Sequence, residues 1–449
     1  MDQPNPFAVN NARMFIAFRV FFNCRFYYPI FTVLFLDFGL SIAQFSILNA
    51  VWAATIVAAE VPSGALADII GRRRLLIFAA SSMVVEMAIL CFAPTGNISL
   101  LFVFFLVNRV LSGLAEAAAS GADEAIAYDA LQREGLADQW GRVLDVQMRF
   151  RSAMFFFTMM LGAAVYDPEF MMRLASLFGS DIVLHQEQTL RIPLYLTLVL
   201  SLFALSTALK FQEVCATPAA DGTCEQPAGE SVLDAMRLTL HSGRWIVKTP
   251  FILAVILFGM LFDGILRMVV TLASQYYRLI LLPESIFGIL GSAMALVGLF
   301  IPRLAHRIAE TRSPAFCLWS TAATALIGLA GMAFFQPIIG MVPALVAFSA
   351  LYMVGFYVSY FVNQRTPSTQ RATVLSFKGL AYNLSYGLIG LVYAGLLEAN
   401  KGGMQTLAHP SQELENLVFR ETFYLFPLTL GVVFLVLIGS AAIFRAKNR

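Results

Sequence analysis

Twelve apolar runs, each about twenty residues long or longer, parted by short charged or Pro/Gly-marked breaks, fix what this chain can fold into. They lie near 14–37, 42–65, 75–93, 99–122, 141–166, 192–211, 250–272, 284–304, 315–335, 338–362, 372–397 and 421–444. The hydrocarbon core of a bilayer is ~30 Å thick and a helix rises about 1.5 Å per residue, so each run is long enough to cross it. No water-soluble fold accommodates the same pattern. Of 449 residues, 59% are hydrophobic and 13% charged, against roughly 25% charged in an ordinary soluble domain. A net charge of +2 with no basic tail or patch gives nucleic acid nothing to bind. Five scattered cysteines and four widely separated histidines (His185, His241, His306, His409) form no disulfide framework or metal spacing, so no metal or cofactor is expected. The run beginning at Met14 follows a polar tail and shows no small-residue cleavage pattern; it is expected to remain as a first helix.

The longest polar stretch, 213–249, is rich in Pro, Gly, Asp and Glu and separates six runs from six. The expected organisation is therefore a bundle over 1–212, a linker over 213–249 and a second bundle over 250–449. Within the linker, Val232, Leu233, Met236 and Leu240 recur at helical spacing beside Asp234 and Arg237, which suits a helix lying on the membrane surface; a disordered linker is the other reading. An internal repeat supports the division. A shift of 242 places Phe45, Ile47 and Leu48 on Phe287, Ile289 and Leu290, Arg25 on Arg267, Asp68 on Glu310 and Gly113 on Gly355. The fold class expected is all-α and integral to the membrane: twelve transmembrane helices in two pseudo-symmetric six-helix bundles.

Basic residues set the orientation. With the N-terminus inside, inner segments collect Arg13, Arg72, Arg73, Arg74, Arg133, Arg142, Arg303, Arg307, Arg312, Arg365, Arg371 and Arg445 among others, while outer segments hold only Arg173, Arg191, Arg278, Lys401 and Arg420. Both termini are expected in the cytoplasm. Short loops favour a bacterial inner membrane.

The loop between the second and third runs reads GALADIIGRRRLL, residues 64–76. Glycines there permit a tight turn, and a carboxylate beside guanidiniums at a helix end can make charge-assisted bonds. This segment resembles the signature G-x-L-A-D-(R/K)-x-G-(R/K)-(R/K)-x-x-L of the major facilitator superfamily. Gly64, Leu66, Asp68, Gly71, Arg72, Arg73 and Leu76 match, and Ile69 departs where a basic residue is usual. Arg109 followed by Gly113 is similar to the family's R-x-x-Q-G pattern, with Ser112 in the Gln position. Asp129 stands where the family commonly places an Asp that pairs with the signature loop. The resemblance implies a cytoplasmic latch of Asp68, Arg72 and Asp129 that holds the outward-open state, and transport by alternating access. The fifth run (FFFTMMLGAAVYDP) has Gly162 but lacks the G-P-x-x-G pattern of the family's drug/proton antiporters.

Ionisable residues inside the spans are costly and mark function by default. They are Arg19, Arg25, Glu60, Glu86, Arg109, Glu116, Asp145, Arg149, Arg151, Asp263, Arg267 and Lys378. Arg25, Arg109, Arg151 and Arg267 are the candidate solute-binding residues, because a guanidinium near the midplane needs an anionic partner. Glu116, Asp145 and Asp263 are the proton-coupling candidates. The alternative is internal neutralisation: Asp145 with Arg149 and Asp263 with Arg267 are four residues apart on one helix face, and Arg25 can answer Glu60, Glu116 or Asp145 across the bundle.

The function expected is secondary active transport of a small organic solute with anionic character, coupled to protons or a counter-solute, by a monomer in the bilayer. The 40 Phe and 18 Met residues leave amphiphile export as an alternative. An intramembrane enzyme or a scaffold is the alternative of another class. No H-E-x-x-H, carboxylate pair with a nearby His, or Walker-type loop supports an enzyme or an ATP-driven pump.

Overall fold

The computed structural model describes residues 5–213, 245–366, 368–404, 411–432 and 434–435. The proposed linker helix over 232–240 and the end of the twelfth run lie outside the described residues. Every regular element among those described is helical. In chain order the longer ones are α1 (Asn10–Asn23), α2 (Phe31–Asp37), α3 (Ile42–Ile70), α4 (Arg72–Cys91), α5 (Ile98–Ala119), α6 (Ala122–Arg133), α7 (Trp140–Tyr166), α8 (Pro168–Leu177) and α9 (Ile192–Lys210). There follow α10 (Pro250–Thr271), α11 (Ala273–Leu279), α12 (Glu284–Thr311), α13 (Pro314–Met332), α14 (Met341–Arg365), α15 (Ser368–Met404) and α16 (Ser411–Phe423).

Among the described residues, nine helical stretches are long and apolar enough to cross a bilayer. The other three runs fall short for separate reasons. The first is interrupted between α1 and α2; the fifth, α7, contains Asp145, Arg149 and Arg151; the twelfth continues beyond the described residues. The all-helical membrane fold with its roughly twelve crossings therefore stands.

The chain folds as two compact units: Met1–Ile30, Val51–His241 and Glu284–Ser292 in one, and Phe31–Ala50, Ser242–Pro283 and Ala293–Arg449 in the other. The core of the first is built on small residues. Ala79 and Ala80 of α4, Ala115, Ala118 and Ala119 of α5, Ala122 and Ala127 of α6, and Ala204 and Ala208 of α9 are buried together with Phe15, Phe18 and Phe22. Lipid tails are as apolar as leucine, so helices in a bilayer gain from close backbone approach, which small side chains allow. Large apolar side chains accordingly remain on the outside, among them Phe78, Val103, Val107, Leu202 and Phe203. In the second unit α13 packs on α14, and α10 on α14 and α15. Gly328 makes the α13–α14 approach possible, since a Cβ there would stand 2.3 Å from the Ala347 backbone nitrogen.

The repeat is visible in element boundaries. Adding 242 to the bounds of α2 gives those of α11, and the same shift carries the starts of α3 and α4 onto the starts of α12 and α13. In both halves a short helix follows a break after the first long one. The two short helices, α2 and α11, pair within the second unit. Arg278 of α11 donates from both terminal nitrogens to the two carboxylate oxygens of Asp37 of α2, each at 2.7 Å. Nearby, the Thr32 and Val33 backbone N–H groups donate to Ser274 Oγ at 2.9 and 3.2 Å. A fork-to-fork geometry of this kind does not tolerate lysine. A double-mutant cycle on Asp37→Ala and Arg278→Ala should show coupling of about 1 kcal/mol, discounted for the pair's partial exposure. Strict additivity of the two single variants in thermal unfolding would remove the pair from the account of this contact.

Candidate functional site

The break in the first run is the centre of the polar network in the first unit. Pro29 supplies no N–H, so the Arg25 carbonyl four residues earlier cannot receive the helical bond expected there. It instead accepts from the Tyr28 N–H at 3.4 Å. The Phe26 N–H is taken up by Thr197 Oγ1 of α9 at 3.0 Å. Non-helical backbone at membrane depth is tolerated only when it is satisfied by protein in this way. Gly162 of α7 makes room for the break: a Cβ at that position would lie 1.7 Å from the Phe26 carbonyl oxygen.

Opening the helix at this point turns Arg25 inward. Its side chain is 4% exposed and ion-pairs with Glu86 of α4, which is fully buried. Arg25 also donates to the Tyr27 hydroxyl at 3.1 Å. The Glu86 backbone carbonyl accepts from Asn108 Nδ2 at 3.0 Å, and Asn108 Oδ1 accepts from Arg109 Nε at 3.1 Å. Arg25, Glu86, Asn108 and Arg109 are therefore one buried network spanning α1's break, α4 and α5. The partner of Arg25 is Glu86, which the sequence marked as a costly carboxylate without assigning it a partner.

Glu116, two turns beyond Arg109 on the same face of α5, is exposed. It interacts electrostatically with Glu60 of α3 as well as with Arg25 and Glu86. Glu60 Oε2 is buried without a hydrogen-bond partner among the described residues. Asp145 and Arg149 form the four-apart pair that their spacing suggests, at 2.7 and 3.1 Å, and both are exposed. Arg151 is exposed too, on the same helix as that pair.

The second unit holds a separate cluster on α10 and α15. Arg267 ion-pairs with Asp263 one turn away, donates to Asn383 Oδ1 at 2.9 Å and lies over the Tyr386 ring, 5.4 Å from its centroid. Lys378 interacts electrostatically with Asp263, and its ammonium lies 5.8 Å from the Tyr382 ring centroid. Lys378, Tyr382 and Tyr386 are spaced by four and share one face of α15. Tyr382 approaches α10 where Gly259 leaves space, its hydroxyl 1.9 Å from where a Cβ would stand. That hydroxyl is buried with no hydrogen-bond partner among the described residues. Lys378 was visible as a charge within a span; Asn383 and the two tyrosines gave no signal above the aromatic background.

The signature loop lies at the junction of α3 and α4. Gly64 faces open space, and Gly71 takes a φ of +94°, a conformation suited to glycine, at the N-cap of α4. Arg72 ion-pairs with Asp129 of α6; the side chain of Asp68 lies outside the described residues. Arg73 donates to the Leu209 carbonyl of α9 at 3.0 Å. Sequence reasoning missed Glu213, just past α9, whose carboxylate accepts the Arg72 and Arg73 backbone N–H groups at 3.0 Å each. It thereby caps the positive end of the α4 dipole. Spacing offers no clue to a cap delivered from 140 residues away.

Comparison with known proteins places these features in a family. The description "Major Facilitator Superfamily" matches residues 13–391. No curated protein matches the chain in sequence. Among solved structures, the nucleoside transporter NupG is 15% identical with a TM-score of 0.68, covering 97% of this chain and 99% of its own. A bacterial homolog of the human lysosomal transporter Spinster, in an inward-facing and unoccupied conformation, gives 14% identity, a TM-score of 0.69, and coverage of 97% and 96%. The D-xylose-proton symporter gives 12% identity, a TM-score of 0.60, and coverage of 95% and 96%. At these identities the likeness shows the fold, while the family match spans most of the sequence. A helical membrane fold with a doubled architecture, the signature loop with its Arg72–Asp129 pair, and this match have one common owner: the chain belongs to the Major Facilitator Superfamily and is a membrane transporter.

Proposed function

We propose that the protein is a proton-coupled secondary transporter of a small organic solute bearing an anionic group, resident in the inner membrane with both termini cytoplasmic. One observation carries the anionic part of this reading: in the α10/α15 cluster two cations, Arg267 and Lys378, share one carboxylate among the described residues, that of Asp263. A carboxylate or phosphate on the solute supplies the missing negative charge, and the Arg267 fork binds it bidentately. Asp263, released from Arg267 by that solute, is the group that takes up a proton, which ties solute and proton movement together; Glu116 and Asp145 are further candidates. Arg25 and Arg109 serve by shaping the first unit, because Arg25 is already neutralised by Glu86, while Arg151 remains open to a solute. The latch of Asp68, Arg72 and Asp129 gates the cytoplasmic side, and the bundles 1–212 and 250–449 rock about the linker 213–249.

The test is gradient-driven uptake of labelled organic anions into liposomes containing the purified protein. Arg267→Lys and Lys378→Gln are each expected to lower anion flux at least about tenfold, the equivalent of ~1.4 kcal/mol of lost charge-assisted bonding, with unchanged thermal unfolding. Full flux in both variants, or a cargo that proves cationic, overturns the anionic reading.

A further inference from the structure

α8 begins one residue after α7 ends, and the chain returns to the next crossing helix, α9, at Ile192. Asp167 fixes its start: one carboxylate oxygen accepts the Phe170 N–H at 3.1 Å, and the other accepts the Ser285 N–H at 3.0 Å. Pro168 occupies its first turn. Beyond that anchor none of its ten residues is buried against the described residues, and only Pro168, Met171, Met172 and Ala175 are half-buried. An isolated helix shorter than ~12–15 residues is marginal in water.

Its surface is two-sided. Glu169, Arg173 and Ser176 recur at helical spacing on one stripe, with Glu169 and Arg173 3.4 Å apart. Phe170, Leu174 and Phe178, spaced by four, fall on the adjoining face with Leu177 at the border between the two, and all are exposed, Leu177 at 81% and Phe178 at 84%. The exposed apolar surface continues through Ile182 and Val183. So much apolar surface on a short segment marks an interaction site.

We infer that α8 and the residues following it to Val183 lie in the headgroup region of the bilayer, with Phe170, Leu174 and Phe178 in the acyl boundary and the Glu169/Arg173 stripe towards water. The placement follows from the attachment: a helix leaving the end of one membrane-crossing helix and returning to the next is held at the membrane surface, and its polar and apolar sides match the two sides of that boundary. The paired charges leave the stripe without net sign, so the contact depends on apolar surface and not on anionic lipid. This placement is independent of what the protein transports.

The experiment uses the full chain, with its native cysteines replaced, carrying Leu174→Cys or Arg173→Cys labelled with an environment-sensitive fluorophore, in liposomes of zwitterionic phosphatidylcholine. At position 174 the emission is expected to shift to the blue, to lose intensity to shallow spin-labelled phosphatidylcholine and to resist aqueous iodide. At position 173 iodide should quench and the lipid quencher should not. Iodide quenching at both positions overturns the inference. So does protection at 174 from both quenchers together with disulfide cross-linking between copies, which assigns the surface to a second copy of the chain. Both labelled positions are exposed, so neither substitution disturbs a packed core; Phe178→Cys gives a second reading of the apolar side.

Discussion

Glu86→Ala is expected to destabilise the protein by about 3–5 kcal/mol, because it leaves the Arg25 guanidinium buried with its charge uncompensated. Thermal unfolding in detergent measures this directly. The variant that decides what Arg25 does is the double replacement Arg25→Met with Glu86→Leu. Exchanging a buried ion pair for apolar side chains of similar volume is often neutral or stabilising, so the double variant should regain most of the lost stability. If the pair serves only to close the broken first run, solute flux returns with the fold. A double variant as stable as the parent yet without flux would instead make Arg25 part of the solute path and reverse the role assigned to it above. Unchanged stability in Glu86→Ala alone would falsify the ion pair itself.

Gly162→Ala should be the most damaging single methyl addition in the first unit. Overpacking typically costs ~1–3 kcal/mol when neighbours can move. Here the atom met first is a backbone carbonyl oxygen, 1.7 Å from the added carbon, and it belongs to a segment whose own N–H is held by Thr197. No side-chain rotation relieves that clash, so the cost is expected at or above the top of that range. Size-exclusion chromatography after detergent extraction reads it as loss of monodisperse protein. A serviceable control is Gly395→Ala, where a Cβ meets nothing within 4 Å. Equal behaviour of the two variants would mean that α7 and the break do not approach as described.

Much of the fold was legible because a bilayer makes a simple demand on sequence. A helix that satisfies its own backbone must present about twenty apolar residues. The runs read as 75–93, 250–272 and 315–335 appear as Arg72–Cys91, Pro250–Thr271 and Pro314–Met332. The repeat shift that paired Arg25 with Arg267 also reproduces the bounds of α2 and α11. The first run, read as continuous over 14–37, is interrupted at 24–30. Pro29 was the signal, and it was hidden because hydropathy averaged over a long apolar run passes over one proline, and prolines such as Pro62 and Pro302 stand inside unbroken helices.

The candidate residues divide along the same line. That Arg25, Arg267, Asp263 and Lys378 sit within spans follows from their neighbours in sequence. The intrahelical pairs of Asp145 with Arg149 and Asp263 with Arg267 follow from a spacing of four. Which helix answers Arg25 does not follow. The sequence reading offered Glu60, Glu116 or Asp145 and not Glu86, and the choice of Glu86 depended on the rotation of α4 against the break and on Gly162 admitting that break.

The sequence by itself determined that this chain crosses a membrane many times as helices, that it is doubled, and that it carries the signature of its family. Those properties rest on local chemistry: backbone hydrogen bonds closed within a segment, transfer of side chains from water to lipid, and a loop read in place. Only the tertiary structure decided that Arg25 is neutralised by Glu86, that Lys378 joins Arg267 around one carboxylate, and that Glu213 caps α4. Charges in a low-dielectric interior are settled by whichever partner comes within a few ångströms, and that distance is set by helix rotation and packing, which residue order along the chain does not encode locally.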